Sequence, residues 1–87
     1  MTNTLKALPT KFIGKGETRG FIFTLISKTN RGFCYEVNTG TTIHYEVFKY
    51  RINRRFNCLS YPTAKAFGLW AWTFRDKNDA INRLKLL

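Results

Sequence analysis

Hydrophobic and polar positions alternate along three stretches in the first half of the chain, a pattern typical of β-strands. These stretches cover residues 21–28, 33–38 and 41–52, and each is rich in β-branched and aromatic residues. Turn-forming residues at 29–32 and 38–40 separate them. Because such short connections join neighbouring antiparallel strands, the pattern predicts a three-stranded meander. The stretch 41–52 is predicted to be the longest strand and to lie near the middle of the sheet.

The remaining pattern adds strands at both ends and one helix. Short strands are predicted at 10–13, 56–61 and 69–74. Asp76 is placed to cap a helix, and one apolar stripe at helical spacing consists of Ala80, Ile81, Leu84 and Leu87. The predicted fold class is therefore α+β, with an antiparallel sheet of about five strands and one C-terminal amphipathic helix packed on it. Residues 1–9 are predicted to be a flexible N-terminal segment, and residues 10–87 a single α+β domain.

Net charge narrows the classes of partner. The chain carries 15 Lys and Arg against 5 Asp and Glu, a formal net charge of +10. Such an excess favours a polyanionic partner, which is a nucleic acid, an anionic membrane surface or an acidic protein. No apolar run approaches the roughly 18 residues that span a bilayer, so we expect no membrane partner. The N-terminus lacks the apolar segment of a secretory signal, which indicates a cytoplasmic location.

The clearest candidate site is a basic stretch that follows the middle strand. Lys49, Arg51, Arg54 and Arg55 are interleaved with Tyr50 and Phe56. Cationic side chains bind phosphates, and aromatic rings stack on bases. We therefore expect phosphate contacts from the four cations, with Tyr50 part of the same surface. Lys11, Lys15 and Arg19 are expected to extend it.

Aromatic residues allow two interpretations. Trp70, Trp72 and Phe74 are predicted to share one face of the last strand. Trp70 and Phe56 are candidates for base stacking, as is Tyr50. The same indoles are also expected to fill the core, because a chain this small needs its largest side chains buried. We expect at least one of the two tryptophans in the core.

Catalytic and metal chemistry have little support in the sequence. The most nucleophile-like set is His44 beside Glu46 on one strand face, with Cys34 on the neighbouring strand, but a polar edge to a partly buried sheet is the favoured interpretation. Glu36 and Glu46 flank the second turn and are a candidate pair across that hairpin. Cys34 and Cys58 lack metal-ligand spacing and are predicted to be buried thiols. We therefore expect a protein that is not an enzyme, with no cofactor and no metal.

Part of the second half resembles a family of proteins. Residues 44–48, 60–62, 66–68 and 70–73, followed by a short helix, resemble small uncharacterised proteins encoded by bacteriophages and prophages. The resemblance covers about residues 43–87. It implies a bacterial host cytoplasm, where a small basic protein binds DNA or RNA or blocks a host enzyme. It implies no activity that transfers to particular residues.

Three hypotheses for function follow. The first is a non-enzymatic nucleic-acid-binding protein that contacts phosphates through its Lys and Arg cluster, with aromatic stacking on bases. The second is a phage-type, anti-defence protein that binds and inhibits an acidic host protein or a ribonucleoprotein. The third is a minor structural or oligomeric component. The sequence leaves open DNA against RNA, single against double strand, and the oligomeric state.

Overall fold

One antiparallel sheet and one C-terminal helix make up the fold. The computed structural model describes residues 8–53, 58–59, 61–62 and 66–87. The strands are β1 (Lys11–Ile13), β2 (Ile22–Lys28), β3 (Gly32–Asn38), β4 (Ile43–Lys49), β5 (Ile52–Asn53), β6 (Cys58–Leu59) and β7 (Ala71–Phe74), a 3₁₀ turn covers Gly16–Thr18, and helix α1 covers Lys77–Leu86. Five strands pair in the order β1-β2-β3-β4-β7, and β5 pairs separately with β6. This α+β architecture confirms the predicted fold class.

The strand predicted to be the longest, β4, is shorter than its sequence pattern predicts and lies next to the middle strand β3. β4 has seven residues, the same number as β2 and β3, and it ends at Lys49 rather than at residue 52. Its neighbours end at the same place, because β3 begins opposite Lys49 and β7 begins opposite Phe48. Beyond Lys49 neither neighbouring strand continues. The chain therefore leaves the sheet and forms the small β5–β6 ribbon. The strand predicted at 56–61 contributes only β6 to that ribbon.

Helix α1 covers one face of the sheet. Ala80 and Leu84 are buried against Cys34 and Val47. The Asp76 carboxylate accepts a hydrogen bond from the Asp79 N–H at 3.2 Å, which confirms the predicted cap. Burial raises the pKa of the Cys34 thiol to about 11, although the nearby Lys77 opposes this shift. The predicted burial is therefore confirmed for Cys34, whereas the side chain of Cys58 lies outside the described part of the chain.

Aromatic rings fill the opposite face. Tyr61 stands edge-on to four of them, with ring centroids 4.8–5.4 Å apart: Phe12, Phe23, Tyr35 and Phe48. The Tyr35 hydroxyl donates to the carbonyl of Pro9 at 2.6 Å, and Leu8 packs on the same cluster. Residues 8 and 9 thus contact the core, although they belong to the segment predicted to be flexible. Residues 1–7 of that segment lie outside the described residues.

A polar contact joins Tyr61 to the sheet within this aromatic face. The Tyr61 hydroxyl donates to Glu46 Oε1 at 2.5 Å, and His44 Nε2 lies 3.1 Å from Glu46 Oε2. Burial raises the pKa of Tyr61 far above its ordinary value, and the Glu46 carboxylate raises it further because it repels the phenolate and accepts the phenol's hydrogen bond. The folded state therefore requires a neutral Tyr61.

We expect the Tyr61 phenol to make stability fall at alkaline pH. In the unfolded chain this phenol ionises near its ordinary pKa of 10. The stability that depends on its raised pKa is complete below pH 10 and is lost as pH rises further. At pH 11 one such group lowers the free energy of unfolding by about 1.4 kcal/mol. Urea denaturation at pH 7 and pH 11 should therefore show a smaller alkaline loss in Tyr61→Phe than in the wild type.

The same substitution has an effect at pH 7. Tyr61→Phe removes a hydrogen bond to a carboxylate, which costs about 1.5–3 kcal/mol. Burial also raises the pKa of Cys34 to about 11 and that of Tyr35 to about 12. These two groups lower the free energy of unfolding as pH rises, and they do so in the wild type and in the variant alike. An equal alkaline loss in wild type and variant would mean that Tyr61 ionises while the protein is folded, contrary to this account.

Candidate nucleic-acid interface

Three chain segments meet at one end of the sheet and bring basic residues together. Lys28 ends β2, Arg31 lies in the turn before β3, and Lys49 ends β4. The Tyr50 N–H donates to the Arg31 carbonyl and the Lys49 N–H to the Trp70 carbonyl, both at 2.9 Å. Arg51 is the residue that follows Tyr50. We call this region the basic end and define it by Lys28, Arg31, Lys49, Tyr50, Arg51 and Trp70.

The cations of the basic end lie on both faces of the sheet. Lys28 pairs with Phe33 across strands, and paired residues of an antiparallel sheet share a face. Lys28 therefore lies on the aromatic face. Arg31 lies just before β3, where its carbonyl accepts a hydrogen bond from the Tyr50 N–H, and it lines a groove with the end of α1. Lys49 is paired with Gly32 and belongs to the helix face. All four cations, including Arg51, are exposed.

Tyr50 is the outermost ring of a row that begins in the core. Its ring stacks on Phe33 with centroids 5.1 Å apart and planes 20° from parallel. Phe33 stacks in turn on Phe48 at 5.4 Å, and both phenylalanines are buried. Tyr50 is 44% exposed. A rigid aromatic surface is therefore presented to solvent among the cations.

Arg51 is held by Trp70. The guanidinium carbon of Arg51 lies 5.1 Å from the centroid of the Trp70 ring, within the range of a cation–π contact. Trp70 is half-buried and also meets Phe48 edge-on at 6.4 Å. The guanidinium of Arg51, the residue after Tyr50, is therefore held against the Trp70 ring.

The two tryptophans do not share a face, which corrects the prediction for the last strand. β7 begins at Ala71, and Trp70 belongs to the turn before it, where Gly68 has a φ of +89°. Trp70 packs on the aromatic face. Trp72 lies on the helix side, where the guanidinium carbon of Arg83 stands 4.1 Å from its ring centroid. The sheet therefore separates two indoles that strict alternation would place together.

Acidic residues lie away from the basic end. Glu17 is in the 3₁₀ turn between β1 and β2, and Asp76 and Asp79 are at the start of α1, all at the opposite end of the sheet. Among the residues that the structure describes, the one carboxylate within 4 Å of a cationic or titratable nitrogen is Glu46, which contacts His44. The described cations of the basic end thus have no carboxylate neutralising them.

The other predicted site residues fall elsewhere. Lys11 lies on the edge strand β1, and Lys15 and Arg19 lie in the β1–β2 loop at the opposite end. The structure does not bring these three together with Lys49, Tyr50, Arg51 and Trp70, and their role in binding stays a prediction. Arg54, Arg55 and Phe56 lie outside the described residues.

Sequence reasoning missed Lys28 and Arg31, which flank the first turn. Lys85, in the last turn of α1, lines the same surface groove as Arg31. The predicted meander could have indicated their position. In a meander, the first turn and the end of the third strand lie at the same end of the sheet.

The predicted nucleophile-like set is not assembled. Cys34 pairs with Val47 on the helix face, whereas His44 and Glu46 lie on the aromatic face. Glu36 pairs with Tyr45, so it is separated from Glu46 by the sheet as well. His44 and Glu46 share a face and are in contact, as predicted, whereas Cys34 and Glu36 lie on the other face, because neighbouring register positions place their side chains on opposite faces. Within the described ranges, no three His, Cys, Asp or Glu side chains are grouped to hold a metal ion.

An apolar cleft lies away from the basic end. It has a volume of about 870 Å³ and is lined mainly by apolar side chains, among them Phe12, Phe23 and Phe67. Glu46 also lines it, but Tyr61 and His44 already engage that carboxylate. The cleft therefore offers a ligand mostly apolar contacts, and the charge pattern of the protein points elsewhere.

Comparison with protein-family models, with curated proteins and with solved structures finds no match for this chain. The resemblance to phage-encoded proteins therefore stays a hypothesis. Among the described residues, no helix is long and apolar enough to cross a membrane.

Gly32 allows the helix and the sheet to approach each other next to the basic end. A Cβ atom at this position would lie 2.6 Å from Leu87 Cδ1 and 2.6 Å from the Phe48 carbonyl oxygen. Gly32 belongs to β3 and its φ is not positive, so its role is close packing rather than the turn conformation expected from the sequence.

We expect Gly32→Ala to destabilise the protein by about 1–3 kcal/mol, because the new methyl group overpacks this contact and the backbone oxygen cannot move aside. Urea denaturation would measure the loss. Thr10→Ala serves as a control at an exposed position before β1 and should change stability by less than about 0.5 kcal/mol. A Gly32→Ala protein as stable as the wild type would show that the helix end does not pack here.

Proposed function

We propose that this chain is a non-enzymatic nucleic-acid-binding protein whose basic end contacts the phosphate backbone. The observation that carries the proposal is the grouping of four exposed cations, from residues 28–31 and 49–51, at the end of the sheet that also presents an exposed aromatic ring. No carboxylate among the described residues lies within 4 Å of these cations. Such a surface suits a polyanion that also presents flat apolar groups, and nucleic acid has both properties.

Two of the cations are arginines with separate supports. The guanidinium of Arg51 is held against the Trp70 ring, whereas the hydrogen bond between the Arg31 carbonyl and the Tyr50 N–H places the backbone of Arg31 beside Tyr50. A guanidinium can make two parallel hydrogen bonds to one phosphate, so an ordered arginine binds phosphate with defined geometry. Each phosphate contact also releases condensed counterions, which makes affinity depend on salt.

Net charge alone would attract nucleic acid to any part of the surface, so the position of the charges needs a test. The opposite end and the β1 edge carry Lys11, Lys15 and Arg19, with Glu17 among them. This group provides a matched control, since both sets contain three exposed cations.

We expect the triple variant Arg31→Gln, Lys49→Gln, Arg51→Gln to weaken binding far more than the triple variant Lys11→Gln, Lys15→Gln, Arg19→Gln. Both variants lower the net charge by the same amount, and Gln preserves much of each side chain's stem. Loss of three phosphate contacts should flatten the slope of log K against log salt by about 2 for a single strand and about 3 for a duplex. Fluorescence anisotropy of labelled DNA and RNA over a range of salt concentrations gives both quantities.

Three outcomes would count against the proposal. Equal weakening in both triple variants would mean that binding follows total charge rather than the basic end. The absence of binding at low salt would exclude nucleic acid as the partner. Capture of an acidic protein by nuclease-treated bait, together with no binding to oligonucleotides, would instead favour the protein-inhibitor hypothesis.

A further inference from the structure

We propose that the basic end binds single-stranded nucleic acid, with Tyr50 as the platform on which one unpaired base stacks. This inference rests on the proposed function and adds the class of nucleic acid to it.

The Tyr50 ring is exposed on one side and supported on the other. Tyr50 is 44% exposed, and Phe33 covers one side of it at a centroid distance of 5.1 Å. Phe33 is itself 4% exposed and stacks on the buried Phe48. Tyr50 is therefore supported from behind by the core, so a base that stacks on it meets a ring that is already ordered. Less conformational entropy is lost on binding to an ordered ring.

Tyr50 is not placed to intercalate between the base pairs of a duplex. A side chain that wedges between base steps of a duplex contacts bases on both of its sides. One side of the Tyr50 ring is occupied by Phe33, so the ring has only one side for a base. In an intact duplex each base is paired and stacked and cannot leave to meet this ring without an unstacking cost. Tyr50 therefore contributes to binding only when the base is unpaired.

Three cations lie near the Tyr50 ring. Arg31 stands opposite Tyr50, Lys28 pairs with the Phe33 on which Tyr50 stacks, and Arg51 is its neighbour in the chain. The backbone on either side of a stacked base would thus pass close to cationic groups. A stacking ring inside a cationic surface is the arrangement with which proteins bind single strands without strong sequence preference.

Trp70 has a different role in this arrangement. It is half-buried, and both the Arg51 guanidinium and the edge contact with Phe48 engage its ring. We therefore assign Trp70 to positioning Arg51 rather than to stacking on a base, which departs from the role expected from the sequence.

The test compares probes as well as variants. Anisotropy would measure the wild-type Kd for a single-stranded homopyrimidine oligonucleotide, a duplex of equal length, and a single strand of equal length whose bases are replaced by abasic sites. We expect the ordinary single strand to bind roughly 5- to 150-fold more tightly than the abasic strand, the range that stacking of one base provides. The abasic strand keeps the phosphates, so this comparison isolates the base without altering the protein.

Variants at position 50 locate the effect. Tyr50→Leu keeps an apolar cover on Phe33 but removes the aromatic ring, so it should bind the ordinary single strand about as weakly as the wild type binds the abasic strand. The salt slope should stay the same, because no phosphate contact is lost. Tyr50→Phe keeps the ring and should restore most of the preference for the ordinary strand.

The outcomes separate the two proposals. If the wild type binds none of the three probes, the proposed function itself fails. If it binds the ordinary and abasic strands equally, or if Tyr50→Leu weakens duplex and single-strand binding to the same extent, nucleic-acid binding stands and the single-strand inference is overturned.

Discussion

The pairing of β3 with β4 is the constraint on which the rest of the structure depends. All seven residues of β3 pair with β4, from Gly32 opposite Lys49 to Asn38 opposite Ile43. A slip by one residue would move every side chain of a strand to the other face of the sheet. This register therefore places Phe33 and Phe48 in the aromatic face and Cys34 under the helix. Continued by one pair, it sets Arg31 opposite Tyr50, so the core and the candidate interface are built by the same backbone contacts.

Like charges gathered at one end of a small sheet oppose folding. Two unit charges 4 Å apart in water repel by about 1 kcal/mol, and exposed groups that lie farther apart repel less. A fully buried large apolar side chain contributes about 1.5–3 kcal/mol. Phe23, Phe33 and Phe48 are buried, and each contributes more on this scale than one such exposed pair of like charges costs. A polyanion would relieve that repulsion, so the feature that opposes folding in the free protein favours binding.

Local patterns were sufficient for much of the fold. The Asp76 cap and the apolar stripe of α1 agree with the structure, because each depends on residues within a few positions of one another. The errors occur where another segment intervenes. β4 ends early because both neighbouring strands end, and Trp70 leaves the face of Trp72 because the turn at Gly68 precedes β7. The residues of a strand do not by themselves show where its neighbouring strands end or where the turn before it lies.

The sequence by itself determined the types and order of the main elements, the large positive charge and the candidacy of Lys49, Tyr50 and Arg51. Only the tertiary structure decided which other cations join them: Lys28 and Arg31 do, whereas Lys11, Lys15 and Arg19 lie on the β1 edge or at the far end of the sheet. It also decided that Phe33 supports Tyr50 from behind. The physical reason is that strand alternation and helix caps depend on neighbouring residues, whereas a surface formed by several segments depends on the register and the ends of strands that are distant in the chain.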